Sequence, residues 1–465
     1  METHVKVKHP KLMAAILMVG AFIGLFSETA LNMALTNVME DFAISPAIAQ
    51  WLTTGYLLVL GILVPISALL MKWFSTKQLV VSSLLFAIIG TVLGAISSNF
   101  PVLLVGRLIQ AIGTGLLLPV MMSVILLIFP MNKRGVMMGI MGMVITAAPA
   151  LGPTVSGFII STLDWTYIFW ISALLYFILL IVGYFNLENV SEITKPRIDI
   201  LSVFLSTIGF GGTIFALSTL AESSFGEIKV WLPLIIGLLA LVIFSLRQFK
   251  MDEPMINLRV FKYPMFTVGT ILLFIAMLVI LSTAILLPFY LKGALLVSAL
   301  SAGLIMLPGN IANMLMAPVV GGLFDKLGAR KFLIVGFLFV LLGNGMLMLI
   351  VAATTPIWQI VVACILLFLG ISMIIMPAQT NGLNQLPREL YGDGSAVMNT
   401  LNQVAGAIGT AVAITLFTSG QIAYMEQTPN ASEPAILAGG TQYAFYFITG
   451  ISVIGLVISF FVKRK

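Results

Sequence analysis

Fourteen long apolar runs separated by short polar loops leave this chain almost no choice of solvent. They fall at about 12–37, 49–71, 79–98, 101–129, 136–160, 165–186, 199–220, 231–248, 264–291, 297–323, 332–353, 357–380, 394–419 and 441–462. A helix needs about 20 apolar residues to cross a ~30 Å hydrocarbon layer. Lipid supplies no hydrogen bonds, so each run must satisfy its own backbone, which an α-helix does. Only 9% of the 465 residues are charged, against roughly 25% in soluble domains. The expectation is an all-α polytopic membrane protein.

The loops give the runs a direction. When alternate loops are assigned to the side of the N-terminus, 20 of the 23 Lys and Arg residues fall there. The exceptions are Lys229 and Lys292 on the opposite side and Arg107 within a run. Basic loops stay cytoplasmic, so both termini are expected in the cytoplasm. The formal charge of +6 needs no nucleic acid, because the cations sit between apolar runs and form no stripe. The first run resembles a signal peptide at Leu12 but continues past Asn32 without a small-x-small cleavage site, so it reads as a retained helix.

Several chemistries are absent from the runs. The one cysteine, Cys364, permits no intramolecular disulfide or multi-cysteine metal site. Both histidines, His4 and His9, lie in the N-terminal tail. With no paired carboxylates in the runs either, the chain is not expected to be an enzyme, to bind a metal or to carry a cofactor.

An internal repeat organises the rest. Pro130, Gly135 and Gly152 recur as Pro387, Gly392 and Gly409, each 257 residues later. Both copies run helix, charged loop, then a Gly- and Ala-rich helix in the same orientation, which implies two halves related by an axis along the membrane normal. The expected division is a six-helix bundle over 1–190, two inserted helices and an interfacial linker over 191–262, and a second six-helix bundle over 263–465.

Two ionisable residues lie well inside runs, Glu28 and Arg107. A charge at mid-membrane costs at least ~2.5–3.5 kcal/mol, so neither should face lipid. One reading is a static ion pair holding two helices together. The other is proton coupling: burial and a movable guanidinium act oppositely on a carboxyl group, so rearranging the pair loads and releases a proton. Ser27, Thr29 and Asn32 make the surroundings more polar than packing needs, which favours the second. In the other half, Asn399, Asn402 and Gln403 share a helix face. With Asn310, Asn32, Trp51 and Gln110 they are candidate cavity-lining residues, the alternative being interhelical hydrogen bonds.

These residues resemble the major facilitator superfamily, and within it the fourteen-helix drug:proton antiporter-2 family. The pattern most resembles the lincomycin-resistance-like multidrug exporters of Gram-positive bacteria. Glu28-Thr29-Ala30-Leu31-Asn32 matches the family's first-helix signature, and Gly106-Arg107 through Gly113 its fourth-helix motif. Gly139, Ala148, Gly152, Pro153 and Gly157 are similar to the antiporter motif of the fifth helix, with Ala148 and Ser156 replacing its usual glycines. The loop Gly321–Lys331 is similar to the superfamily's gating motif, with Asp325, Gly328, Arg330 and Lys331 in place. The first-half copy of that motif departs from the pattern, since Lys72 stands where an acid is expected, and the second half shows no deeply placed carboxylate.

The resemblance implies a 6+2+6 major facilitator fold in a bacterial plasma (inner) membrane. It implies a monomeric, proton-coupled antiporter that exports small amphiphilic drugs by alternating access, with Glu28 and Arg107 as the coupling residues. A lipid or fatty-acid exporter and a proton-coupled nutrient symporter of the same fold are the alternatives.

Overall fold

Caps written into the sequence set where several helices begin. Ser75 and Gln78 form a capping box ahead of Thr76, the Asn99 side chain accepts from Val102 N at 3.1 Å, and Ser298 accepts from Ser301 N. The computed structural model describes residues 5, 7–44, 46–49, 51–191, 193–195, 199–220, 227–251 and 254–463. Its helices are α1 (Pro10–Asp41), α2 (Pro46–Ala49), α3 (Trp51–Trp73), α4 (Thr76–Ala95), α5 (Phe100–Ile128), α6 (Met131–Thr162), α7 (Thr166–Asn186) and α8 (Ile200–Leu220). They continue with α9 (Ile228–Lys250), α10 (Pro264–Phe289), α11 (Ala299–Leu327), α12 (Ala329–Ile350), α13 (Ile357–Asn384), α14 (Tyr391–Gln427) and α15 (Glu433–Ser459). All but the four-residue α2 correspond to the fourteen apolar runs. Among the described residues, 13 helices are long and apolar enough to cross a membrane. Helix α6 packs on helices of both halves, α1 and α11.

Helices α1 and α3–α7 pack into one bundle and α10–α15 into another. Across the seam α6 lies along α11 and α3 along α14, two pairings that the internal repeat interchanges. Arg134 and Tyr391, 257 residues apart and so equivalent in the repeat, hydrogen-bond to each other at 2.9 Å. Equivalent residues meet only at a symmetry axis, which places that axis between the starts of α6 and α14.

The inserted helices lie outside this core. α8 packs against both α3 and α14, bridging the seam, while α9 packs on α8 and turns Leu232, Leu239 and Ile243 outwards. Their base is tied by Arg247, which donates to both Asp199 oxygens at 2.6 and 3.0 Å. Those hydrogen bonds hold the Asp199 carboxyl down at about 2. Folded-state depression of a carboxyl contributes stability above its unfolded value and loses it only as pH falls through ~2. Asp199 is therefore a fixed tie at any cellular pH and no carrier of protons.

Candidate functional site

Close backbone approach brings Arg107 inside the first bundle. A Cβ on Gly106 would stand 2.8 Å from Gly90 O, and one on Gly113 would stand 2.5 Å from Ser83 O, so α4 and α5 touch along glycine faces. Arg107, next to Gly106, is wholly buried, as is Gln110 one turn on. Arg107 Nη1 donates to Gln110 Oε1 at 2.6 Å and to Ser27 Oγ at 3.2 Å. Gln110 Nε2 donates to Ser27 Oγ and Thr91 Oγ1, both at 3.0 Å. The guanidinium lies 4.3 Å from the centroid of the Tyr56 ring. Arg107 Nε and Nη2 have no hydrogen-bond partner among the described residues.

Glu28, partly exposed beside buried Ser27, is within electrostatic reach of Arg107 but makes no bond to it. The structure thus brings α1, α3, α4 and α5 to one polar centre around a cation. Gln110 belongs to that centre with its amide already engaged, and Tyr56 is a member that sequence reading did not single out. A tyrosine in an apolar run carries no signal of its own until its neighbours are known.

The remaining candidates are dispersed. Trp51 stands at the start of α3, half exposed, its ring 5.9 Å from that of Phe215 on α8. Asn399 Nδ2 donates to Ser395 O at 2.9 Å and touches Met122 Sδ of the other half at 3.8 Å. Asn402 is buried with Oδ1 unbonded, and Asn310 and Gln403 are half-buried. The side chains of Asn32, Pro153 and Asp325 lie outside the described residues. Gly328 makes the turn between α11 and α12 at φ 78°, a conformation that favours glycine, and Arg330 and Lys331 are exposed beyond it.

The fifth-helix motif divides between two partners. Gly139 faces α11 across the seam, where a Cβ would stand 2.6 Å from Ala317 O. A Cβ on Gly152 would run into Thr29 and Ala30 of α1, Ala148 is buried, and a Cβ on Gly157 would meet no other described side chain or helix within 4 Å. α6 runs as one helix through Pro149 and Pro153. Gly139→Leu is expected to wedge the seam and lower transport at least tenfold in a drug-accumulation assay. Gly157→Ala should cost little.

The basic face of the seam holds a second polar centre. Lys72 Nζ lies 2.9 Å from Asp393 Oδ1, joining α3 to α14, with the Asp393 side chain 1% exposed. The same oxygen accepts from Asn257 N of the linker at 2.9 Å. Arg134, also buried, donates to Asn384 Oδ1 at 3.1 Å and to Tyr391, both in the other half. A cavity of about 390 Å³ borders this centre, lined by Lys72, Ser123, Asn257, Arg388 and Asp393 among others. None of the described amide candidates lines it. Lys72, which departs from the gating motif, thus finds its acid in the opposite half. Asp393 escaped notice because it lies just ahead of the run at 394–419, and Arg134 because loop topology already accounted for it.

The sequence model of the Major Facilitator Superfamily matches residues 17–410. The chain is 51% identical to the lincomycin resistance protein LmrB of Bacillus subtilis over 459 residues, covering 97% of this chain and 95% of that protein. It is 52% identical to the protein of the same name in Listeria monocytogenes over 462 residues, covering 99% and 98%. Among solved structures, the human organic anion transporter MFSD10 superposes with TM-score 0.67 at 14% identity, covering 97% of this chain and 99% of that one. The proton:xylose symporter XylE does so with TM-score 0.67 at 13% identity, covering 98% and 96%.

Proposed function

The chain belongs to the major facilitator superfamily, and from that premise we propose that it is a proton-coupled antiporter exporting small amphiphilic drugs. Relatives at 51–52% identity carry lincomycin resistance in their names, so lincomycin is the first substrate to test. The observation that carries the coupling is the Arg107 centre. A buried guanidinium with two unbonded donors lies within electrostatic reach of a lone carboxyl, Glu28. Protonated from one side and deprotonated towards the other, that carboxyl exchanges a proton for each drug moved.

Orientation follows from charge. The basic face, with both termini, is cytoplasmic in a bacterial plasma membrane. The Lys72–Asp393 and Arg134–Tyr391 ties then lie on the cytoplasmic side, so this arrangement has its cytoplasmic path shut. Tilting of the two bundles opens it. The protein works as a monomer driven by the proton gradient, the seam and both polar centres being built from one chain. One proton falling through ~100 mV releases ~2.3 kcal/mol, and each pH unit adds ~1.4 kcal/mol. Together they sustain a gradient of a neutral drug of several hundredfold, at ~1.4 kcal/mol per tenfold.

The test uses everted membrane vesicles energised to be acid inside. Lincomycin should dissipate the pH gradient, and a protonophore should abolish drug uptake. Uptake that persists with the gradient collapsed would remove the antiport reading.

A further inference from the structure

Tyr56 is buried at the meeting point of three helices, and each part of it is engaged. Its hydroxyl, with a single proton to give, is 3.2 Å from Gly24 O and 2.7 Å from Thr114 Oγ1. Gly24 lies one turn before Glu28 on the same face of α1, and Thr114 lies two turns beyond Arg107 on the same face of α5. The hydroxyl is thus anchored to the two faces that carry the coupling pair. The ring, meanwhile, meets the guanidinium at 4.3 Å, where the negative face of a π-system attracts a cation.

The donors left unbonded on Arg107 are not a random pair. Nε–H and Nη2–H point the same way from the planar group and form the fork that fits a carboxylate with two parallel hydrogen bonds. Nη1 is taken by Ser27 and Gln110, and the ring covers a flat face. What remains is one edge of the guanidinium, the edge that a deprotonated Glu28 could use.

We propose that Tyr56 is a positioning residue of the coupling centre, its ring holding the Arg107 guanidinium away from Glu28 with the carboxylate-binding edge free. The inference rests on the proton-coupled reading and adds to it a rival for the arginine. While Glu28 holds its proton, the cation rests on the ring. When Glu28 releases it, the carboxylate competes for the free edge, and the ring sets how strongly the pair closes. Without the ring the cation settles on the carboxylate and the proton is not readily regained. Among the described residues, the titratable groups acting on the guanidinium are Glu28 from α1, Tyr56 from α3 and Tyr176 from α7. α4 contributes only the Thr91 hydroxyl, through Gln110.

The experiment is a pH profile of lincomycin-driven proton exchange by the full-length protein in proteoliposomes. Tyr56→Leu should shift the profile to lower pH by about a unit and slow exchange at neutral pH about tenfold. Tyr56→Phe loses the anchoring hydroxyl and should slow exchange a few-fold, but keep the native profile. Should the leucine variant fail to fold, phenylalanines bearing one, two and three ring fluorines at the same position drain the π face while nearly preserving its shape. The profile should then shift stepwise with fluorination. A profile unmoved by leucine, or by fluorination, overturns the proposal and reduces Tyr56 to packing. Glu28→Gln separates the two layers. If that variant still exchanges protons normally, the coupling reading falls and this inference falls with it; if it does not, a static profile at Tyr56 removes only the positioning role.

Discussion

Glu28→Gln is expected to abolish lincomycin-driven proton exchange in proteoliposomes, reducing energised drug accumulation about a hundredfold, while drug binding and passive exchange survive. Glutamine matches glutamate in size and keeps hydrogen-bonding capacity, so the packing of α1 should hold, but its amide cannot release a proton. The predicted loss is large because, among the described residues, Glu28 is the only carboxyl group acting on Arg107. Arg107→Lys should fail nearly as severely. An ammonium keeps the charge but has neither the planar face that lies on Tyr56 nor the two-donor edge. Proton release by the glutamine variant at the native rate would sink the scheme.

Lys72→Glu should be the second severe lesion. It sets a carboxylate against Asp393, whose side chain is 1% exposed. Removing one partner of a buried pair costs about 3–5 kcal/mol; Lys72 is 23% exposed, so the smaller end applies. Much of that cost is relieved by parting the two halves at the basic face. Transport should fall more than tenfold, and the double variant Lys72→Glu with Asp393→Lys should recover most of it. A direct readout is available because the chain's one cysteine, Cys364, is buried. A cysteine introduced at Ser123, which lines the cavity beside the pair, should label slowly in the native background and at least several-fold faster with Lys72→Glu. Equal labelling in the single and double variants would argue that the pair does not hold the seam.

The two centres differ in how far reading the chain could reach them. Glu28 and Arg107 stand out because a charge in an apolar run violates the cost of burying charge, and such a violation is visible residue by residue. Lys72 and Asp393 lie at run ends, where charges are ordinary, and 321 positions separate them. Along the sequence Lys72 is only a departure from a motif, whereas the fold supplies its partner from the other bundle. Likewise Gly139 and Gly152 are alike as small residues in one motif, yet one faces α11 and the other α1.

The order of apolar runs determined by itself that this chain becomes membrane helices and roughly where each one falls, and the 257-residue repeat pointed to two related halves. Those properties are local or periodic, because each span satisfies its own backbone and each loop its own charge. Only the tertiary structure decided that Arg107 rests on Tyr56 rather than on Glu28, and that the seam closes through Lys72–Asp393 and Arg134–Tyr391. Which donor meets which acceptor depends on helix rotation and crossing to within an ångström, and hydropathy along a chain is blind to both.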